Sequence, residues 1–295
     1  EKQRKTEQKV KLKAQKKDLS AAIKRPRAYV LDFDGDIAAS AVSHLREEIS
    51  TVLQVADEHD EIIVRLESAG GMVHTYGLAS SQLARIRAKK LALTICVDKV
   101  AASGGYMMAC VGTRVLAAPF AVIGSIGVVA SLPNFNRLLK KHEVDYELHT
   151  AGQYKRTLTM LGENTDEARE KFRHELEHTH TLFKDFISEY RPVVDMNIVA
   201  TGEHWYGKRA LELKLVDDLQ TSDDYLLSLI KDKDIYEVRY KRKRSFAERM
   251  EDRMSLTLQQ GMQWLGLRKS LGSLEGVNPA FAMSHSELPA GQARM

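Results

Sequence analysis

Three groups of residues have types and spacings that could do chemistry. The first surrounds a serine. Ala102-Ser103-Gly104-Gly105 follows one apolar run, and Ser68-Ala69-Gly70-Gly71 closes the run before it. Glycines let backbone N–H groups come close to a ligand, and the start of a helix favours negative charge. The outline is that of an oxyanion site beside a hydroxyl nucleophile. Such a hydroxyl needs a base, and Gln153-Tyr154-Lys155-Arg156 offers a lysine. Taken singly, each glycine pair also fits a plain turn.

The second group is His174-Glu175-Leu176-Glu177-His178, which spells the string in which two histidines hold zinc and a glutamate serves as base. At 100° per residue from Phe172, the two histidines fall at about 200° and 240°, away from the apolar stripe of their helix. Both imidazoles are expected to face water. The third group, Asp32-Phe33-Asp34-Gly35-Asp36, resembles the first motif of the haloacid dehalogenase phosphatases. Asp32 would then attack phosphorus and Asp34 would move protons, with Asp217-Asp218 as later acids. Asp36 stands where that motif has Thr or Ser, and a third carboxylate would repel phosphate. An acidic turn between strand and helix is the plainer reading.

These groups are positioned by strands alternating with helices. Ala28 to Phe33, Glu61 to Leu66 and Leu91 to Val97 read as strands. Ala41 to His59, the stretch holding Leu78, Leu83 and Ile86, and Tyr106 to Val111 read as helices. Val115 to Ala117 and Ala121 to Ala130 are short apolar pieces, the latter broken by Gly124 and Gly127. The clearest helix is Asp166 to Tyr190, with Asn164 or Thr165 as its cap and Glu167 placed to complete a capping box. Ile235 to Tyr240 closes the domain as a strand. The pattern predicts a layered α/β domain.

With 28% charged and 43% hydrophobic side chains, the 295 residues suit one sizeable domain or two small ones and exclude collagen-like, low-complexity and disulfide-scaffold classes. Cys96 and Cys110 lie in apolar runs and read as buried thiols. No stretch approaches the roughly 18 apolar residues of a spanning helix. Residues 1–27 carry a charge of +8 out of a net +4, so the remainder is mildly acidic. No aromatic residue interleaves these charges, which favours a solvated linker over a nucleic-acid surface. The chain opens with Glu1, so a membrane anchor is expected to precede it.

Five motifs in order carry a family resemblance: Glu67 to Val73, Val100 to Tyr106, Gly124 to Val128, Gly152 to Arg156, and Ala200 to Gly207. Together they resemble the signal peptide peptidase A family of serine peptidases, and Tyr29 to about Tyr240 is similar to its SohB branch. The resemblance implies a crotonase/ClpP-like α/β fold of repeated ββα units, a single catalytic domain with helical extensions. It implies a peptidase domain over 28–244, while the charge pattern gives a linker over 1–27 and the apolar spacing a C-terminal helix fading into a disordered tail over 245–295, a stretch the resemblance does not cover.

The resemblance further implies Ser103 as nucleophile, Lys155 as general base, Ser125 orienting the lysine, and the N–H groups of Gly71 and Gly104 as oxyanion hole. Ala69 departs from the family, where Pro is usual. No cofactor or metal is implied. The expected partners are extended apolar peptides, such as remnant signal peptides or membrane-protein fragments, and further copies of the chain in a ring with shared sites. The expected place is the bacterial inner membrane, with the peptidase domain on the periplasmic face; the basic segment would by itself argue for the cytoplasmic face. A catalytically silent membrane scaffold is the remaining alternative. A lysine with a reference pKa of about 10.4 is protonated near neutrality, and lowering it to about 8 costs roughly 3 kcal/mol. Lys155 is therefore expected to be buried in the assembled enzyme, away from any carboxylate.

Overall fold

A computed structural model of the chain describes residues 25–241, so the basic linker up to Lys24 and the expected C-terminal helix and tail lie outside the described residues. The first half holds β1 (Arg27–Gly35), α1 (Val42–Val55), β2 (Glu61–Ser68), α2 (Val73–Ala88), β3 (Ala92–Val97), β4 (Val100–Ala102), α3 (Gly104–Ala109), β5 (Arg114–Ala117) and β6 (Val122–Gly124). Then come α4 (Asn136–Lys141), α5 (Asp166–Tyr190), α6 (Met196–Val199), β7 (His204–Tyr206), α7 (Gly207–Glu212), β8 (Asp218–Leu219), α8 (Ser222–Leu229) and β9 (Asp234–Glu237).

The central strands are buried on both faces, which is why they read as unbroken apolar runs. In β1, Tyr29, Leu31 and Phe33 face the main core under α1 and α2, while Ala28 and Val30 face a smaller cluster with Ile63, Cys96, Leu116 and Tyr225 of α8. The side-chain period of two thus splits one strand between two layers. Pairing is parallel throughout except between β6 and β7.

The sheet forks at β2. Along Glu61–Arg65 its neighbour is β3, but at Ser68 its neighbour is β4, through Ala101. Next to β4 lies β6, with Ala102 opposite Gly124. The C-terminal ends of β2, β4 and β6 therefore stand side by side. This is the crotonase/ClpP-like α/β arrangement expected from the sequence.

Helix α5 begins where the sequence places it, but its cap is Thr165 alone, whose Oγ1 accepts the Ala168 N–H at 3.1 Å. Asn164 instead exchanges hydrogen bonds with the Thr159 backbone, so the capping box built on Asn164 does not form. Only Phe183 and Ile187 of α5 are buried. Its C-terminal half docks on the body, and its N-terminal half joins an arm, residues 127–182, in which no side chain is buried. Among the described residues no helix is long and apolar enough to cross a membrane.

Candidate active site

Ser103 is the hinge between β4 and α3. Its backbone adopts φ 52° and ψ −120°, a conformation costly for a residue with a Cβ, and its N–H donates to the Gly124 carbonyl at 2.8 Å. The turn is tight because Gly104 and Gly105 allow it. A Cβ on Gly105 would lie 2.4 Å from the Ser68 carbonyl oxygen, and one on Gly104 would lie 2.4 Å from Cγ of Tyr76. As the first residue of α3, Gly104 has an N–H without an intrahelical acceptor.

The turn after β2 meets this one directly. Gly70 has φ +89°, and a Cβ there would lie 2.7 Å from the Gly104 nitrogen. Gly71 packs under the loop that follows β1: its Cβ would lie 2.1 Å from the Ile37 carbonyl oxygen, which accepts the Met72 N–H at 2.9 Å. Gly71, Ser103 and Gly104 share one small pocket of about 70 Å3. Val73, Met107, Val128 and Val129 give it apolar walls, and α5 adds Thr179 and Phe183. This lining suits a small apolar group beside Ser103.

Ser125 follows Gly124 as Ser103 follows Ala102, so the two serines neighbour each other across the β4–β6 register. It too has φ 52°, and its N–H donates to the Glu203 carbonyl at 2.7 Å. Lys155 stands apart. It is exposed, on a turn where its N–H donates to the Gly152 carbonyl, and it does not line the Ser103 pocket. Among the described residues its ammonium has no carboxylate partner. The neighbouring Tyr154 ring lies under the Lys171 ammonium, 5.1 Å away. Lys171 and the pocket residue Thr179 are eight residues apart on α5, about 12 Å of helix.

The competing groups are committed elsewhere. His174 and His178 are exposed, with His174 beside Glu170. Asp32 receives two hydrogen bonds from Arg65, at 2.6 and 2.9 Å, and one from Arg239 at 2.9 Å. Burial raises the Asp32 carboxyl, but these guanidiniums outweigh it and hold it below its ordinary value. Asp217 is held by both terminal nitrogens of Arg191 at 3.0 Å, and Asp36 accepts the Ser40 N–H at 2.8 Å in the turn before α1. Asp32 is an ion-paired strand residue rather than a nucleophile, which corrects the phosphatase alternative.

The pocket walls Val128, Val129, Thr179 and Phe183 were not legible as such, because they come from segments remote in sequence. Tyr76, fully buried, belongs to none of the glycine or acidic motifs of the sequence. Its signal was a phenol on the apolar face of α2, in register with Ala79, Leu83 and Ile86; a buried hydroxyl must find a partner.

Comparison with known proteins shows the family of the chain. The N-terminal model of peptidase family S49 matches residues 1–83, and the family's main model matches residues 85–236. A probable protease SohB of Haemophilus influenzae is 57% identical over 226 residues, covering 77% of this chain and 64% of that protein. A probable protease SohB of Buchnera aphidicola is 62% identical over 203 residues, covering 69% of this chain and 67% of that protein. The chain thus spans about two thirds of the length of these relatives. A solved structure of a 1510-N membrane-bound stomatin-specific protease mutant with a substrate peptide aligns over 79% of this chain and 99% of its own, with a TM-score of 0.46 and 14% identity. The motifs around Ser68, Ser103, Ser125 and Lys155 lie inside the matched ranges, and the chain belongs to peptidase family S49, on its SohB branch.

Proposed function

We propose that the chain is a membrane-associated serine endopeptidase in which Ser103 is the nucleophile and Lys155 of a neighbouring copy is the general base. The observation that carries this reading is the strained Ser103 at the opening of α3, sharing one apolar-walled pocket with Gly71 and Gly104. A strained nucleophile on a strand-to-helix turn exposes its hydroxyl above the sheet.

In this mechanism the Lys155 amine takes the Ser103 Oγ proton as the oxygen attacks a peptide carbonyl. The N–H groups of Gly71 and Gly104 donate to the oxyanion, worth about a hundredfold or more in rate for each donor. The lysine ammonium returns its proton to the leaving amine. Water then hydrolyses the acyl-enzyme, with the same amine as base. Ser125, beside Ser103, holds the amine in place. The pocket of about 70 Å3 admits a small apolar side chain of an extended peptide.

Separation of Lys155 from the pocket supports a site shared between copies. The arm that carries Lys155 leaves Leu132, Phe135, Leu138, Val144, Tyr146 and Leu148 exposed. Apolar side chains in such number on an arm with no core of its own suit burial against another copy. A head-to-tail contact repeated between identical copies closes into a ring. An amine withdrawn from water in such a contact gives up its proton more readily. Attachment to the bacterial inner membrane, with this domain on the periplasmic face, would bring remnant signal peptides and membrane-protein fragments within reach.

Peptide cleavage by wild type, Ser103→Ala and Lys155→Ala, with gel filtration of each, tests the reading. Each substitution is expected to lower kcat at least about a thousandfold without changing assembly. Mixing the two inactive variants is expected to restore part of the activity through hybrid sites. Full activity in Ser103→Ala would end the proposal, and failure of mixing to restore any activity would end the shared site.

A further inference from the structure

The two glycine turns are joined through one buried side chain. Tyr76, in the first turn of α2, is fully buried, and its hydroxyl lies 2.7 Å from the Asp36 carbonyl oxygen and 2.5 Å from Ser68 Oγ. A carbonyl can only accept, so the tyrosine proton goes to Asp36 and the Ser68 hydroxyl donates to the tyrosine oxygen. Ser68 Oγ in turn accepts the Gly70 N–H at 3.0 Å. The result is a directed chain from Gly70 through Ser68 and Tyr76 to the loop after β1.

The Ile37 carbonyl of that loop accepts the Met72 N–H and packs against Gly71, so Gly71 lies between Gly70, bonded to Ser68, and Met72, bonded to Ile37. The near end of the Tyr76 side chain packs against Gly104, where even a methyl group would collide with Cγ, Cβ and Cδ2. Gly35 closes the remaining side: a Cβ there would lie 2.6 Å from both the Ser68 and the Tyr76 hydroxyl oxygens. Neither Tyr76 nor Ser68 is itself in the lining of the Ser103 pocket, although Gly71 and Gly104 are. Their contacts are with the peptide groups that flank that pocket.

We infer that Tyr76 and Ser68 are positioning residues that set the Gly71 and Gly104 N–H groups at the spacing an oxyanion requires. The inference rests on the reading of those two glycines as the oxyanion hole. Hydrogen-bond donors accelerate a reaction only when they are fixed before charge develops, so a loosened hole loses turnover rather than substrate affinity.

The test uses Tyr76→Phe, which keeps the ring and removes the hydroxyl, together with Ser68→Ala and the double variant, all in the assembled protein. A fluorophosphonate probe, reacted to completion, counts competent serines, and kcat is expressed per titrated site. Each single variant is expected to lower kcat per site about 10- to 100-fold with KM within about twofold, and the double variant to be little worse than the more impaired single one, because both break one chain. A residue that only stabilises the fold would reduce the number of titratable sites and leave turnover per site unchanged. Turnover per site within twofold of wild type in either folded single variant, or a double variant whose loss is the product of the two, would overturn the inference. If Tyr76→Phe does not fold, Ser68→Ala decides alone. Ser103→Ala separates the levels: retained cleavage there removes the underlying reading, whereas loss there with unaffected Tyr76→Phe and Ser68→Ala removes only this inference.

Discussion

Two glycines a few residues apart serve opposite ends. At Gly71 a methyl group would sit 2.1 Å from a backbone oxygen of the loop after β1, which has no flexible tip to swing away. Gly71→Ala must therefore shift the turn, and we expect about a tenfold or greater loss of kcat with the fold retained, read by steady-state peptide cleavage and circular dichroism. At Gly77, within α2, an added Cβ meets nothing within 4 Å. Gly77→Ala is expected to raise stability by about 0.5–1 kcal/mol in a urea titration and to leave cleavage unchanged. The sequence shows both as glycines near one helix start, and only the approach of the loop after β1 tells them apart. Ser103 was visible because its neighbours Gly104 and Gly105 are adjacent in the chain. Tyr76 was not, since the groups its hydroxyl meets lie 8 and 40 residues away.

Helix α5 is fastened at its C-terminal end. Arg191, 5% exposed, donates to both oxygens of Asp217 and to the Lys214 carbonyl, while Asp217 also accepts the Val115 N–H at 2.7 Å. One carboxylate thus ties α5 to β5 and to the loop before β8. Burial pushes the Asp217 carboxyl up, but Arg191 and the Val115 N–H outweigh it and leave it below its ordinary value. A carboxyl lowered in the fold adds stability above its unfolded pKa, near 3.9, and loses it as pH falls through the folded value. Asp217→Asn is therefore expected to destabilise the protein at pH 7 and to flatten the acid limb of its stability profile below about pH 4, measured by denaturant titration across pH. Arg191→Met should cost about 2 kcal/mol at pH 7, toward the low side for a buried pair because Asp217 keeps contact with water. The bounds of α5 could be read from Thr165 and its apolar stripe. β4 could not: Val100–Ala102 looks like the approach to a glycine turn, and it becomes a strand only because β2 changes partner at Ser68.

Across the molecule, the body and the arm follow different rules. The body has two layers of side chains on a central sheet, and its apolar runs announce it in the sequence. The arm hides nothing, and its apolar residues carry no period that would name their partner. Replacing Phe135 and Leu138 together by Asp is expected to shift the protein to smaller species on gel filtration and to abolish peptide cleavage, with little change in the melting temperature of the body. Unchanged assembly would show that these side chains do not join copies. Lys155 sits on an exposed turn and is absent from the lining of the Ser103 pocket. If the base is the lysine of a neighbouring copy, as proposed above, a solitary chain, newly made and not yet met by its fellows, carries a hydroxyl with nothing to deprotonate it. Dilution would then act as a safety catch, and cleavage would arise only where enough copies gather.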